Sequence, residues 1–180
     1  MTAVIDEKSY DNIMSAIEEA KKDAGTSLIV GGTGDKSVGY YVHPTIIETK
    51  NPQSITMLRE LFGPVLTVYV YDDTQANWSW VDTLQMVESA VEYGLTGSVF
   101  ARCREDIAVA EDVLTQACGN FYINDKCTGA IVGQQPFGGA RKSGTNDKAG
   151  SVFNLLRWVS PQTVKEKTVG ISTYIHPHML

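Results

Sequence analysis

The stretch from Thr128 to Asp147, TGAIVGQQPFGGARKSGTND, holds five glycines and one proline. Glycine lets successive backbone N–H groups converge on one point, and such a nest binds anions. The stretch is not a phosphate-binding P-loop, because Gly-x4-Gly-Lys-Ser/Thr is missing, and no Gly-x-Gly-x-x-Gly opens a helix there. Its length suits a functional loop that anchors something small; the alternative is a structural crossing between two lobes. A second informative run is Glu60-Leu61-Phe62-Gly63-Pro64-Val65. Pro fixes φ and Gly removes Cβ, so Gly-Pro makes a sharp turn into a strand. A carboxylate and an aromatic ring just before that turn sit where ligands often bind. An ordinary turn with a solvated acid and a core Phe fits the same residues.

Three cysteines, Cys103, Cys118 and Cys127, form no Cys-x-x-Cys pair, so reduced thiols are expected rather than a disulfide framework or a zinc site. Cys127 borders the glycine-rich loop, but no His or other base accompanies it, as an activated nucleophile requires. His176 and His178 lack a third ligand and His43 stands apart, so no metal site is expected.

These residues need elements to position them, and the chain alternates helical and strand-like patterns. Ser9 to Ala24 sets Ile13, Ile17 and Ala20 on one helical face, with Gly25 as its C-cap. Ser27 to Val30 predicts a short strand, and Gly39 to Ile47 a β-rich stretch in which Pro44 marks an edge or irregularity. Val65 to Tyr71 (VLTVYVY) predicts a buried strand. Then follow a helix over Asp82–Tyr93, a strand over Gly97–Ala101, a helix over Arg104–Cys118 and a strand over Gly119–Asn124. That order predicts two linked βαβ units in an α/β fold with parallel sheet.

Composition narrows the partners. With 180 residues, 43% hydrophobic and 20% charged, the chain is in the globular class and long enough for one core. A net charge of −6 and scattered basic residues argue against nucleic acid. No apolar stretch reaches the roughly 20 residues that span a bilayer. The acidic N-terminus has no apolar segment of a signal peptide, and opening almost at once into a helix suits a chain that begins inside a larger protein.

The motifs together resemble the aldehyde dehydrogenases. Glu60 to Val65 is similar to their Glu-Ile/Leu-Phe-Gly-Pro-Val motif, and Tyr93-Gly94-Leu95-Thr96-Gly97 to another recurrent stretch. Gly119 to Lys126, Val132 to Arg141 and Ser143 to Lys148 narrow the resemblance to the pyrroline-5-carboxylate dehydrogenase branch of animal mitochondria, and Arg157-Trp158 and Ser160-Pro161-Gln162 continue it. The resemblance implies an NAD-dependent oxidation of L-glutamate γ-semialdehyde to glutamate in the mitochondrial matrix. It implies that Glu60 accepts the nicotinamide-ribose hydroxyls of NAD, a task suited to a carboxylate, with Phe62 packed beside the cofactor. Gly129 and Ala130 match the loop whose backbone N–H groups hold the substrate α-carboxylate, and Phe137 the aromatic on its aliphatic part. Residues 1–158 then form part of a catalytic domain, and residues 159–180 an oligomerisation segment and tail, with the association strand around Gln162–Lys167. The partners implied are the small substrate and further subunits, as a homo-oligomer or with full-length chains.

Two departures stand out. Arg59-Glu60 supplies one acid where the family carries two, and Ala130 stands where some members have Ser, which a main-chain contact tolerates. The nucleophilic cysteine, general-base Glu and oxyanion Asn of the family lie upstream of Glu60, and none of the first 59 residues is Cys. No catalytic residue is therefore expected here, and the chain by itself is expected to be inactive. The alternative is a truncated, non-catalytic protein that associates with full-length subunits.

Overall fold

The structure, a computed structural model, describes residues 1–170 and 173–179. The first helix, α1 (Glu7–Lys22), begins at Asp6, whose carboxylate accepts the Ser9 N–H at 2.7 Å. That bond satisfies an otherwise unpaired first-turn donor. One face buries Tyr10, Ile13, Ala16, Ile17 and Ala20. Ile13 and Ile17 are fully buried, each contributing about 2 kcal/mol of hydrophobic stabilisation. The helix does not end on a glycine cap. Asp23 turns out into an extended conformation, and its carboxylate accepts the Gly25 N–H at 2.8 Å.

Three strands form the first sheet in the order β1 (Thr26–Val30), β4 (Thr45–Thr49), β5 (Val65–Tyr69). The β1–β4 pair is antiparallel and the β4–β5 pair parallel, with the short α2 (Ile55–Leu58) in the crossover. A small ribbon, β2 (Gly34–Asp35) and β3 (Tyr41–Val42), closes over α1, so that Val42 joins Tyr10, Ile13 and Ile17 in one apolar cluster. Fully buried Thr45 is satisfied on both sides: its Oγ1 accepts from the Gly32 N–H at 2.9 Å and donates to the His43 carbonyl at 2.8 Å. Pro44 falls between β3 and β4, outside either ladder, as a residue without N–H must.

The second half contains α3 (Trp80–Ser89), β6 (Tyr93–Gly94), β7 (Thr96–Val99), α4 (Arg104–Val113), β8 (Asn120–Ile123) and β9 (Ala140–Arg141). Strands β7 and β8 pair in parallel around α4, one βαβ unit as expected. Leu84, Val99, Ala110 and Leu114 form its core. The second expected unit does not close. Among the described residues β5 pairs only with β4 and β7 only with β8, so these strands lie in two sheets instead of one. Between them lies a space of about 330 Å³ lined by Tyr69, Leu84, Val99 and Leu114, among others.

The β5 region is correspondingly not the buried strand that its apolar run predicts. It ends at Tyr69, and Leu66 and Val70, two side chains of the same parity, are exposed because no described element covers that face of the strand. The helix expected to Tyr93 stops at Ser89, and the one expected to Cys118 stops at Val113. After α5 (Val152–Leu155) and a short 3₁₀ turn, residues 159–167 run exposed and unpaired. The strand expected around Gln162–Lys167 is not formed, since a strand needs a ladder partner and none is present among the described residues. The tail expected at the end of residues 159–180 lies partly outside the described residues.

Candidate cofactor and substrate site

The turn before β5 is built by close packing. A Cβ on Gly63 would fall 2.5 Å from the Ile13 Cδ1, so glycine lets the turn settle against α1 without displacing that buried side chain. The Pro64 carbonyl accepts the Thr45 N–H at 2.9 Å, tying the turn to β4. Just before it, Phe62 holds φ at 51°, a left-handed conformation unfavourable for an aromatic residue. Its side chain is not the core residue that an ordinary turn would give: Phe62 is 83% exposed. The backbone holds the ring out over an open cleft of about 750 Å³, lined by Gln53, Ile55, Leu58, Arg59, Glu60, Phe62 and Tyr93. Exposed Glu60 makes no hydrogen bond or ion pair with a described residue, so both carboxylate oxygens are available as acceptors.

Residues 128–147 form a long loop with two distinct halves. In the first, Gly129 lies at φ 107°, and the N–H groups of Gly129 and Ala130 donate to no described protein acceptor. Next comes a turn in which the Gln134 and Gln135 N–H groups donate to the Ile131 carbonyl and the Gln135 Oε1 accepts the Ile131 N–H. The second half is tied down. Phe137 exchanges both backbone hydrogen bonds with Ala149, at 2.9 and 2.7 Å. The Lys148 ammonium donates to the Gly119 and Gly138 carbonyls. Arg141, in β9, pairs with Tyr93 of β6.

Glu60 and Phe62 thus share the cleft, whereas Gly129, Ala130 and Phe137 lie on the loop and do not line it. Tyr93 connects the two, as a wall of the cleft and as ladder partner of the loop's far end. Sequence reasoning gave Tyr93, Arg141 and Lys148 no individual role, because only the paired β6–β9 ribbon reveals it. The cysteines show no activated partner. Exposed Cys103 donates to the Glu105 carboxylate at 2.9 Å, and Cys127 is exposed. Burial pushes the Cys118 thiol up, with Lys148 and Arg141 offsetting part of the rise. Among the described residues no three His, Cys, Asp or Glu side chains gather as metal ligands, and no helix is long and apolar enough to cross a membrane.

The cleft thus presents an exposed acceptor carboxylate and an outward ring, and the separate glycine loop presents donors without a described protein partner. A sequence model of the aldehyde dehydrogenase family matches residues 1–164. The chain belongs to the aldehyde dehydrogenase family. It is 53% identical to the mitochondrial delta-1-pyrroline-5-carboxylate dehydrogenase of Dictyostelium discoideum, over 100% of this chain and 32% of that protein. The human enzyme of the same name is 49% identical over 99% of this chain and 31% of its own length. The crystal structure of the Mycobacterium tuberculosis delta-pyrroline-5-carboxylate dehydrogenase bound with NAD superposes with a TM-score of 0.81 at 46% identity, covering 99% of this chain and 31% of that one. The chain therefore spans about a third of the length of the curated relatives it matches.

Proposed function

We propose that the chain is the C-terminal portion of an NAD-dependent L-glutamate γ-semialdehyde dehydrogenase, which oxidises the open form of 1-pyrroline-5-carboxylate to glutamate in proline catabolism. What carries the reading is identity of about half to enzymes of that name along essentially the entire chain, the substrate loop included. A mitochondrial setting follows from the same relatives.

In this reading the exposed Glu60 carboxylate accepts two hydrogen bonds from the vicinal diol of the nicotinamide ribose, and the Phe62 ring packs beside the cofactor. Bound NAD supplies the hydride acceptor. The Gly129 and Ala130 N–H groups hold the substrate's α-carboxylate, which suits donors free of internal partners. Phe137 packs on the aliphatic carbons between carboxylate and aldehyde. Together these contacts orient the aldehyde toward chemistry performed elsewhere in the subunit, where the family's cysteine, base and oxyanion donor reside. Residues 1–158 make part of the catalytic domain. The exposed segment after Val159 supplies a strand for association with further subunits, the partner that its unpaired backbone lacks.

The decisive assay compares the isolated 180-residue chain with the complete subunit, glutamate γ-semialdehyde and NAD being supplied. NADH forms with the complete subunit alone. Turnover by the isolated chain, or none by the complete subunit, overturns this division of labour.

A further inference from the structure

Within the glycine-rich loop the backbone around Phe137 is held more completely than its neighbours. Its own N–H and carbonyl are paired with Ala149. The groups on either side go to one side chain: the Pro136 carbonyl accepts from the Asn120 Nδ2 at 3.0 Å, and the Gly138 N–H donates to the Asn120 Oδ1 at 3.2 Å. Asn120 opens β8 and is 7% exposed, a buried polar residue whose amide spends a donor and an acceptor on this one tripeptide. The chemistry admits no exchange. Proline offers only a carbonyl and the Gly138 contact only an N–H, so the side chain must present NH₂ to one and oxygen to the other. Preceding Gly119 completes the seat, since a Cβ there would stand 1.8 Å from the Gly138 carbonyl oxygen. Upstream, residues 129–135 have only their local turn bonds and the free donors already described.

We propose that Asn120 is a positioning residue for Phe137. By bridging Pro136 and Gly138 it fixes the backbone on both sides of the aromatic residue, and thereby the place of the ring against the substrate's aliphatic chain. The proposal rests on the role given to Phe137 above. Glu60 and the cleft lie outside this clamp, so cofactor binding is independent of it.

The test is a double-mutant cycle in the complete subunit. Asn120→Asp keeps an acceptor for Gly138 but sets a carboxylate against the Pro136 carbonyl. It should raise the KM for the aldehyde about tenfold, the loss expected for one buried polar contact, leaving kcat and the KM for NAD within about twofold. In a Phe137→Ala background the same substitution should add less than about twofold, because the group being positioned is gone. Equal effects in both backgrounds, or a parallel fall in kcat and in apparent affinity for both substrates, overturn the proposal. If Phe137→Ala leaves the aldehyde KM unchanged, the assigned role of Phe137 fails; if it raises the KM and Asn120→Asp does not, the positioning role alone fails. Should the aspartate variant not fold, neutral Asn120→Ser enters the same cycle. Hydrogen exchange in the unmodified subunit needs no variant: peptides spanning 136–139 should exchange more slowly than those spanning 129–134, and the reverse order overturns the clamp.

Discussion

The Arg141 guanidinium grips Glu88 twice, through the carboxylate and through the main-chain carbonyl at 2.7 Å. The same side chain donates to the Val91 carbonyl at 2.9 Å and to that of Gln116 at 2.9 Å. One planar fork thus satisfies carbonyls around the ends of α3 and α4 and pins the glycine-rich loop between them. Arg141→Ala leaves those acceptors without their donor and should destabilise the fold by about 2–3 kcal/mol. Arg141→Lys recovers part of that, having no fork. Urea titration of the complete subunit measures it; a midpoint unchanged by Arg141→Ala would show that the grip contributes nothing.

Two glycine substitutions separate close approach from backbone conformation. Gly119→Ala drives a methyl into the Gly138 carbonyl and should cost about 3 kcal/mol through displacement of the loop from β8. Gly133→Ala meets nothing within 4 Å, and its φ of 83° alone should cost about 1 kcal/mol. Thermal melts that rank the two in the opposite order would contradict the packing described at Gly119.

Glu60→Gln keeps size and one acceptor oxygen while removing the charge. In the complete subunit it should raise the KM for NAD about tenfold, as expected when a charge-assisted hydrogen bond is weakened, and leave the KM for the aldehyde unchanged. Steady-state kinetics with each substrate varied in turn decide it. A rise confined to the aldehyde KM would move Glu60 out of the cofactor site.

The cysteines should separate by reactivity. At pH 8 exposed Cys103 and Cys127 should alkylate first and Cys118 at least about tenfold more slowly, since only the thiolate reacts and burial raises this thiol's pKa. A group raised in the folded state contributes its stability fully below the unfolded thiol pKa, and that contribution is lost as pH rises through the folded value. Stability should therefore decline at alkaline pH, and Cys118→Ser should flatten the decline. Mass spectrometry of partially labelled protein reads the order, and early loss of Cys118 would contradict its burial.

The isolated chain should self-associate or precipitate. Val70, Phe100 and Trp158 are exposed beside unpaired strand edges and an unpaired C-terminal segment, and such surfaces find partners. Sedimentation velocity reports the outcome. A single monomeric species that unfolds cooperatively would show these surfaces to be innocuous.

The elements that follow a local period were legible without coordinates. Ile13, Ile17 and Ala20 at helical spacing announced the buried face of α1, and the apolar runs around Val99 and Tyr122 announced the parallel β7–β8 pair. Helix ends were less legible: α3 stops at Ser89 and α4 at Val113, and the carbonyls of Glu88, Val91 and Gln116 around those ends accept from the distant Arg141 guanidinium, a partner that no local pattern reveals.

The sequence by itself determined the family and the residue types at the candidate site, since a carboxylate before Phe-Gly-Pro and a glycine loop containing Phe-Gly-Gly-Ala-Arg are motifs of neighbouring residues, written in order along the chain. Tertiary structure alone decided how that loop is held. Asn120 reaches a carbonyl 16 residues away, and Arg141 one 53 residues away. It also decided that β5 and β7 do not pair, although their patterns suit one sheet. Periodicity records which face of an element is buried, but the choice of neighbour depends on which other surfaces are present to cover it, and no local pattern carries that information.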